Sequence, residues 1–254
     1  QKANLENGQR SAPSCTVASF YSAVLYETNQ LQLLEETLKN RMDIIKQVAL
    51  PEALLSTHCS MARLHLVRGD VLKAREYLED LQVISEQRRL LGALGGCLLE
   101  RIRLHLDLNE LDIAVSLNEK ISILKSSDEA RRKGSVEALE LYSRMANLEL
   151  TIYRGLWSDA LASVNEMINR VRQLSDYSLL VQLELKKARI LNGMDMTSDA
   201  ISLLREMLQL GEKLGLVRIY ADNWTYCKNY LASEGFEESA KISNKYLKSV
   251  LSCF

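Results

Sequence analysis

The sequence predicts an all-α fold, a right-handed superhelical solenoid of about six helical hairpins. Three observations carry this reading. A turn-and-marker pattern recurs along the chain with a period near 40 residues. Helix breakers are scarce: Pro13 and Pro51 are the only prolines in 254 residues, and each stands where a helix can begin. The apolar fraction of 47% supports a large core, while aromatics make up only 6%.

The pattern is plainest in Ala62–Leu81, ARLHLVRGDVLKAREYLEDL. It reads as a helix, a turn at Gly69-Asp70 and a second helix running back. Ala62 and Ala74 are small where the two helices approach. This is a tetratricopeptide-type hairpin. From Ala74, steps of 40 reach Leu34 and Ala114, a step of 46 reaches Ala160, and further steps of 40 reach Ala200 and Ala240. Five residues before each marker stands a turn-type residue: Asn29, Gly69, Asn109, Gly155, Asp195 and Gly235. Gly and Asn suit a helix end where φ turns positive. Five residues before each turn the chain is apolar, at Val24, Leu64, Leu104, Leu150, Ile190 and Tyr230.

Taken in order, residues 1–13 read as a disordered lead or the end of a preceding repeat, and 14–254 as one continuous superhelical domain. Hairpin one places helices near 14–28 and 30–48. Hairpin two, opened by Pro51, places them near 52–67 and 71–88. Hairpin three runs near 90–107 and 110–125. Its GALGG (Gly92–Gly96) predicts a helix start delayed past Gly96, because glycine costs roughly 1 kcal/mol inside a helix. A loop, a tight helix approach or backbone exposed to a ligand all remain open there. The extra six residues fall in KSSDEARRKGS (Lys125–Ser135), an extended helix start or a surface loop. Hairpins four, five and six follow near 135–154 and 157–174, 177–192 and 197–212, and 216–233 and 236–252. Polar Ser243, Asn244 and Lys248 suit a cap or junction, since such helices are stabilised by stacking.

A formal charge of −1 argues against a nucleic-acid backbone as direct partner. Five scattered cysteines without a CxxC pair read as reduced thiols of a cytoplasmic protein. There is no signal peptide and no 18-residue apolar run, so no membrane span is expected. No phosphate loop, HExxH or GxSxG stands out, and no enzyme activity or cofactor is expected. His65 and His105 share a repeat position, but two histidines fall short of a metal site, and packed histidines are the expectation. Trp157, Trp224, Tyr153 and Tyr220 read as core or inter-hairpin aromatics.

The repeat register nominates one polar surface. Six residues before each turn stand Ala23, Arg63, Arg103, Glu149, Arg189 and Asn229; three before stand Tyr26 and Asn192; nine before stand Glu100, Lys186 and Tyr226. If the first helix of each hairpin lines a concave wall, these residues form a ladder along it. Arginine forks beside Glu and Tyr suit sugars, carboxylates or peptide termini. The alternative is an internal ion-pair ladder of Arg63, Arg103, Arg189 and Glu149 tying neighbouring hairpins together. The two roles are compatible.

Ala23–Leu81, with its LYETNQL (Leu25–Leu31) and LPEALLSTHCSMARLHLVRGD (Leu50–Asp70) runs, resembles the helical-repeat region of large MalT-like LuxR-family transcriptional activators. LLERIRLHLDLNELDIA (Leu98–Ala114) and AISLLREMLQLGEKLGLVRIYADN (Ala200–Asn223) carry the same likeness, which covers most of the chain. The resemblance implies a sensor domain between a nucleotide-binding module and a helix-turn-helix, neither of which this sequence contains. It implies a small-molecule inducer (a sugar in the maltose-regulon activator) or a regulatory protein as partner, with self-association and DNA binding downstream. The competing expectation is a tetratricopeptide scaffold mediating protein–protein contacts in a multiprotein assembly.

Overall fold

The computed structural model describes residue 8 and residues 10–254, which form helices and no strand. In chain order these are α1 (Ala12–Glu27), α2 (Leu31–Leu38), α3 (Met42–Val48), α4 (Pro51–Val67), α5 (Val71–Gln87), α6 (Leu91–Asp107), α7 (Leu111–Ser126) and α8 (Asp128–Arg132). They continue with α9 (Val136–Tyr153), α10 (Trp157–Leu174), α11 (Tyr177–Gly193), α12 (Thr197–Leu214), α13 (Ile219–Asn223), a 3-10 turn (Thr225–Cys227), α14 (Lys228–Leu231), α15 (Phe236–Ala240) and α16 (Asn244–Leu251). The chain divides into two compact units, Gln1–Tyr26 with Gln30–Leu150, and Glu27–Asn29 with Thr151–Phe254. Most of the lead expected over 1–13 lies outside the described residues, and α1 already takes in Ala12 and Pro13. No described helix is long and apolar enough to cross a membrane.

The six expected turns are all left-handed, with φ of 57° at Asn29, 77° at Gly69, 59° at Asn109, 69° at Gly155, 62° at Asp195 and 71° at Gly235. At the first five, the amide after the turn donates back to the carbonyl five residues earlier: Gln30 to Leu25 (2.8 Å), Asp70 to His65 (2.9 Å), Glu110 to His105 (2.8 Å), Leu156 to Thr151 (3.1 Å) and Met196 to Leu191 (2.9 Å). This Schellman closure satisfies a carbonyl that the helix end would otherwise leave unpaired. Five residues past each turn, Leu34, Ala74, Ala114, Ala160, Ala200 and Ala240 are all fully buried. In the first unit α4 packs on α5 and α6, and α6 on α7; in the second α11 packs on α10 and α12. Second helices end the same way at Arg89 (φ 53°), Ser175 (55°) and Gly215 (71°).

The structure departs from expectation at four places. The second helix of hairpin one is broken between α2 and α3, where Asn40 takes φ 61° and the Arg41 guanidinium donates to the Thr37 carbonyl. The α6 helix starts at Leu91 and runs straight through GALGG, and Gly95 and Gly96 serve a close helix approach. A Cβ at Gly95 would lie 2.6 Å from Leu139 Cδ2, and one at Gly96 2.5 Å from Leu55 Cδ2. Lys125–Ser135 is a helix end, a short helix and a turn: α7 extends to Ser126, Ser127 caps α8 by accepting from the Ala130 amide at 3.1 Å, and the chain turns after Arg132 at Gly134 (φ 64°). Hairpin six is not a hairpin of two long helices. The extended Trp224 (φ −155°, ψ 77°) and left-handed Lys241 (φ 54°) divide it into short turns.

Those turns exist to bury side chains. Tyr220, Trp224, Cys227, Leu231, Phe236, Leu247 and Val250 join Leu204 and Leu208 of α12 in one cluster. Tyr220 Oη donates to the Met207 carbonyl (2.9 Å) and lies 3.0 Å from Tyr246 Oη, which donates to the Leu216 carbonyl (2.5 Å). Gly211 leaves room for both rings: a Cβ there would stand 1.9 Å from Tyr220 Oη and 2.6 Å from Tyr246 Oη. Trp157 likewise covers Gly193, where a Cβ would fall 2.7 Å from the indole.

Gly211→Ala is expected to lower unfolding stability by about 1–3 kcal/mol, the overpacking cost, despite alanine's better helix propensity. Gly92→Ala, where a Cβ meets nothing within 4 Å, should instead raise stability by about 0.5–1 kcal/mol. Urea unfolding of the two variants checks the opposite signs.

Candidate functional site

The register brings five of the nominated residues of the first unit into one chain of contacts. On α4, Arg63 donates from Nε to Glu100 Oε1 at 2.5 Å and from Nη2 to Oε2 at 2.8 Å, a two-pronged fork reaching α6. On α6, Arg103 donates from Nη1 to Glu100 Oε2 at 3.3 Å and from Nε to Glu149 Oε1 of α9 at 2.9 Å. The Arg63 guanidinium carbon lies 5.7 Å from the centre of the Tyr26 ring of α1, a cation–π contact. The helix period explains the alignment: Glu100 and Arg103 are one turn apart on the same face. The neighbouring hairpins then present Arg63 and Glu149 at the same height.

Two guanidiniums and two carboxylates make the chain formally neutral. Burial alone would raise the Glu100 carboxyl, but Arg63 and then Arg103 outweigh it and hold it down at about 2. Burial pulls Arg63 the other way, and Glu100 overcomes it, leaving Arg63 well above its ordinary value. The carboxylates are the better covered members, with side chains 11% and 8% accessible for Glu100 and Glu149, against 26% and 20% for Arg63 and Arg103. The arginines are therefore the more accessible members of the chain. The arrangement ties neighbouring hairpins together through planar guanidinium forks.

The second unit holds the other nominees without such a chain. Lys186 is buried on α11 and Arg189 half-buried on it. Asn192 Oδ1 accepts from Tyr230 Oη at 2.6 Å. Tyr230 sits edge-on to Tyr226 at 6.0 Å and tilted against Trp224 at 5.7 Å. Tyr226 and Asn229 are exposed. They fall on the 3-10 turn and α14 rather than on a long first helix, so the expected rung at Asn229 loses its register where Trp224 breaks the helix.

Sequence reasoning missed a second set of inter-hairpin ties. Glu35 and Arg75 each stand six residues past a turn and reach a residue beside the next one. Arg68 donates to Glu35 at 2.8 Å, and Arg75 donates to both oxygens of Glu110 at 2.9 and 2.8 Å. The signal was available as charged residues at a repeat position with the signs exchanged. The histidines are each served by the acid following their own turn: His65 Nδ1 lies 3.6 Å from Asp70 Oδ2, and His105 Nδ1 donates to Glu110 Oε2 at 2.5 Å. His65 also stacks on Tyr77 at 5.4 Å. Buried Glu184 accepts from Arg172 at 2.7 Å. No group of three or more His, Cys, Asp or Glu placed to hold a metal occurs among the described residues.

His58 is wholly buried, its Nδ1 donating to the Leu54 carbonyl at 2.9 Å, and burial pushes its pKa down to about 4. The unfolded chain therefore takes this proton first, and stability is lost as pH falls from 6.5 towards 4. That loss is expected to be about 3 kcal/mol, and in His58→Gln the urea stability should flatten across this window. The Glu100 contribution has the other origin: a depressed carboxyl stabilises fully above about 4.5 and fades as pH falls towards 2. Glu100→Gln, which takes the carboxylate from Arg63 and leaves Arg103 only Glu149, should cost about 3 kcal/mol at neutral pH. Adding Arg63→Met should recover part of that cost in the same urea assay. Compared with known proteins, the chain matches no family model, no curated protein and no solved structure.

Proposed function

We propose that this chain is a non-catalytic binding module: the superhelical, tetratricopeptide-like sensor region of a MalT-like LuxR-family transcriptional regulator. In this reading the hairpins form one right-handed array, and the signal passes to nucleotide-binding and DNA-binding modules of the same regulator. The observation that carries the binding role is the accessibility of the arginines in the Arg63–Glu100–Arg103–Glu149 chain. The two arginine side chains are 26% and 20% accessible while their counter-ions are largely covered, at 11% and 8%. A ligand rich in hydroxyl or carboxylate oxygens meets oriented donors there without having to neutralise a net charge. The sequence likeness supplies the regulatory context, and the repeat-register turns support a solenoid scaffold of the kind that presents extended binding surfaces.

Thermal unfolding against sugars, organic acids, amino acids and acyl metabolites tests the reading. A ligand at 100 times its dissociation constant adds about 2.7 kcal/mol, which moves the midpoint by roughly 2–4 °C at this size. The expected result is a shift with one acceptor-rich class, abolished in Arg103→Met while the helical signal survives. If no compound shifts the midpoint, or if Arg103→Met leaves a shift intact, the arginine chain is purely an inter-hairpin tie.

A further inference from the structure

Arg63, Arg103 and Arg189 occupy one repeat position, six residues before a left-handed turn. The first two are answered by carboxylates, Arg63 by Glu100 and Arg103 by Glu149. Arg189 is half-buried on α11, yet among the described residues it makes no hydrogen bond or ion pair. Partial burial of a guanidinium without a counter-ion gives up hydration that nothing replaces.

The next hairpin supplies no counter-ion. Tyr226 stands nine residues before its turn, where Glu100 answers Arg63, and Asn229 stands six before, where Glu149 answers Arg103. Neither residues 185–194 nor residues 223–233 include an Asp or Glu, while they carry Lys186, Lys187, Arg189 and Lys228. Rings and an amide take the place of acids. Asn192 lies one helical turn past Arg189 on the same face of α11, and its Oδ1 accepts from Tyr230 Oη at 2.6 Å. Tyr226 meets the Tyr230 ring edge-on at 6.0 Å and stays 58% accessible.

We propose that Arg189, Asn192 and Tyr226 form a binding site for a small aromatic carboxylate. The ligand's carboxylate takes the role that Glu100 and Glu149 have in the first unit and accepts from the Arg189 fork. Asn192, whose carbonyl oxygen is engaged by Tyr230, keeps its amide N–H groups to donate to the same carboxylate. The open face of Tyr226 receives the ligand's ring by offset stacking. Charge selects an anion here, because the two segments hold four cations and no acid. The site lies within the second unit and does not rest on the arginine chain of the first.

Titration with benzoate, phenylacetate and cinnamate, followed by calorimetry and by tryptophan fluorescence, is the test. Trp224, 5.7 Å from the Tyr230 ring, is a reporter beside the site. The expected result is saturable binding of at least one of these acids. Its dissociation constant should rise at least about tenfold in Arg189→Met and about threefold in Tyr226→Ala, each with an unchanged helical signal. Benzamide, which keeps the ring and lacks the charge, should bind at least about tenfold more weakly than benzoate. Arg103→Met should leave the affinity intact, which separates this site from the arginine chain. Absence of binding by all three acids overturns the proposal, as does benzamide bound as tightly as benzoate. An affinity indifferent to Arg189→Met overturns it as well, and a loss in Arg103→Met alone would place the binding in the first unit.

Discussion

The structure depends on one backbone constraint, the left-handed residue that ends each first helix. At Gly69 and Asn109 a single φ above zero turns the chain and lets the next amide close on a carbonyl of the last helical turn. That closure fixes the exit direction, so the second helix returns along the first and its fifth residue lands in the contact. A side chain larger than Ala is used there once, at Leu34. Because the turn geometry repeats at Asn29, Gly69 and Asn109, the helices α1, α4 and α6 present their remaining side chains at the same height. The arginine–glutamate chain and the buried alanines are both consequences of that repetition.

Height alone does not make an ion-pair chain. The neighbours Arg63, Glu100, Arg103 and Glu149 alternate in sign along the contacts, so each carboxylate is shared or forked and none is left facing bulk apolar surface. Removing charges from water costs several kcal/mol per ion unless partners replace the water, and the depressed Glu100 carboxyl reflects that replacement. The partial accessibility of the Arg63 and Arg103 side chains moderates the penalty. A chain of this kind specifies which hairpin follows which.

Much of this was legible in the sequence because it rests on small, local signals. Gly, Asn and Asp at the turns and Ala at the markers are residue types with one dominant physical reason to recur. Arg63, Arg103, Glu149 and Glu100 could be placed on one face by counting back from the turns. What was not legible depends on packing partners far along the chain. Arg89 and Ser175 adopt left-handed conformations that their residue types do not announce. The glycines of α6 read as a delayed start, yet they are helical, and Gly95 and Gly96 leave the space that Leu55, Leu139 and Tyr142 need. At the sixth repeat the turn residue kept the register, but Tyr220, Trp224 and Phe236 bury more surface if the helix breaks, and the breaks move Tyr226 and Asn229 off the expected ladder.

A helical hairpin cannot bury the face that its own partner helix leaves open, so each must cover its neighbour. Between α4 and α6 that cover includes complementary charge, which is directional and tells one hairpin from another. Between α1 and α4 it is made with small polar and apolar groups: Thr57, Ser60, Met61 and Leu64 are all buried, and Thr57 Oγ1 lies 3.4 Å from the Ser19 carbonyl. One register position therefore accepts either solution, because the turn fixes where a side chain stands and leaves its chemistry to the neighbour it meets.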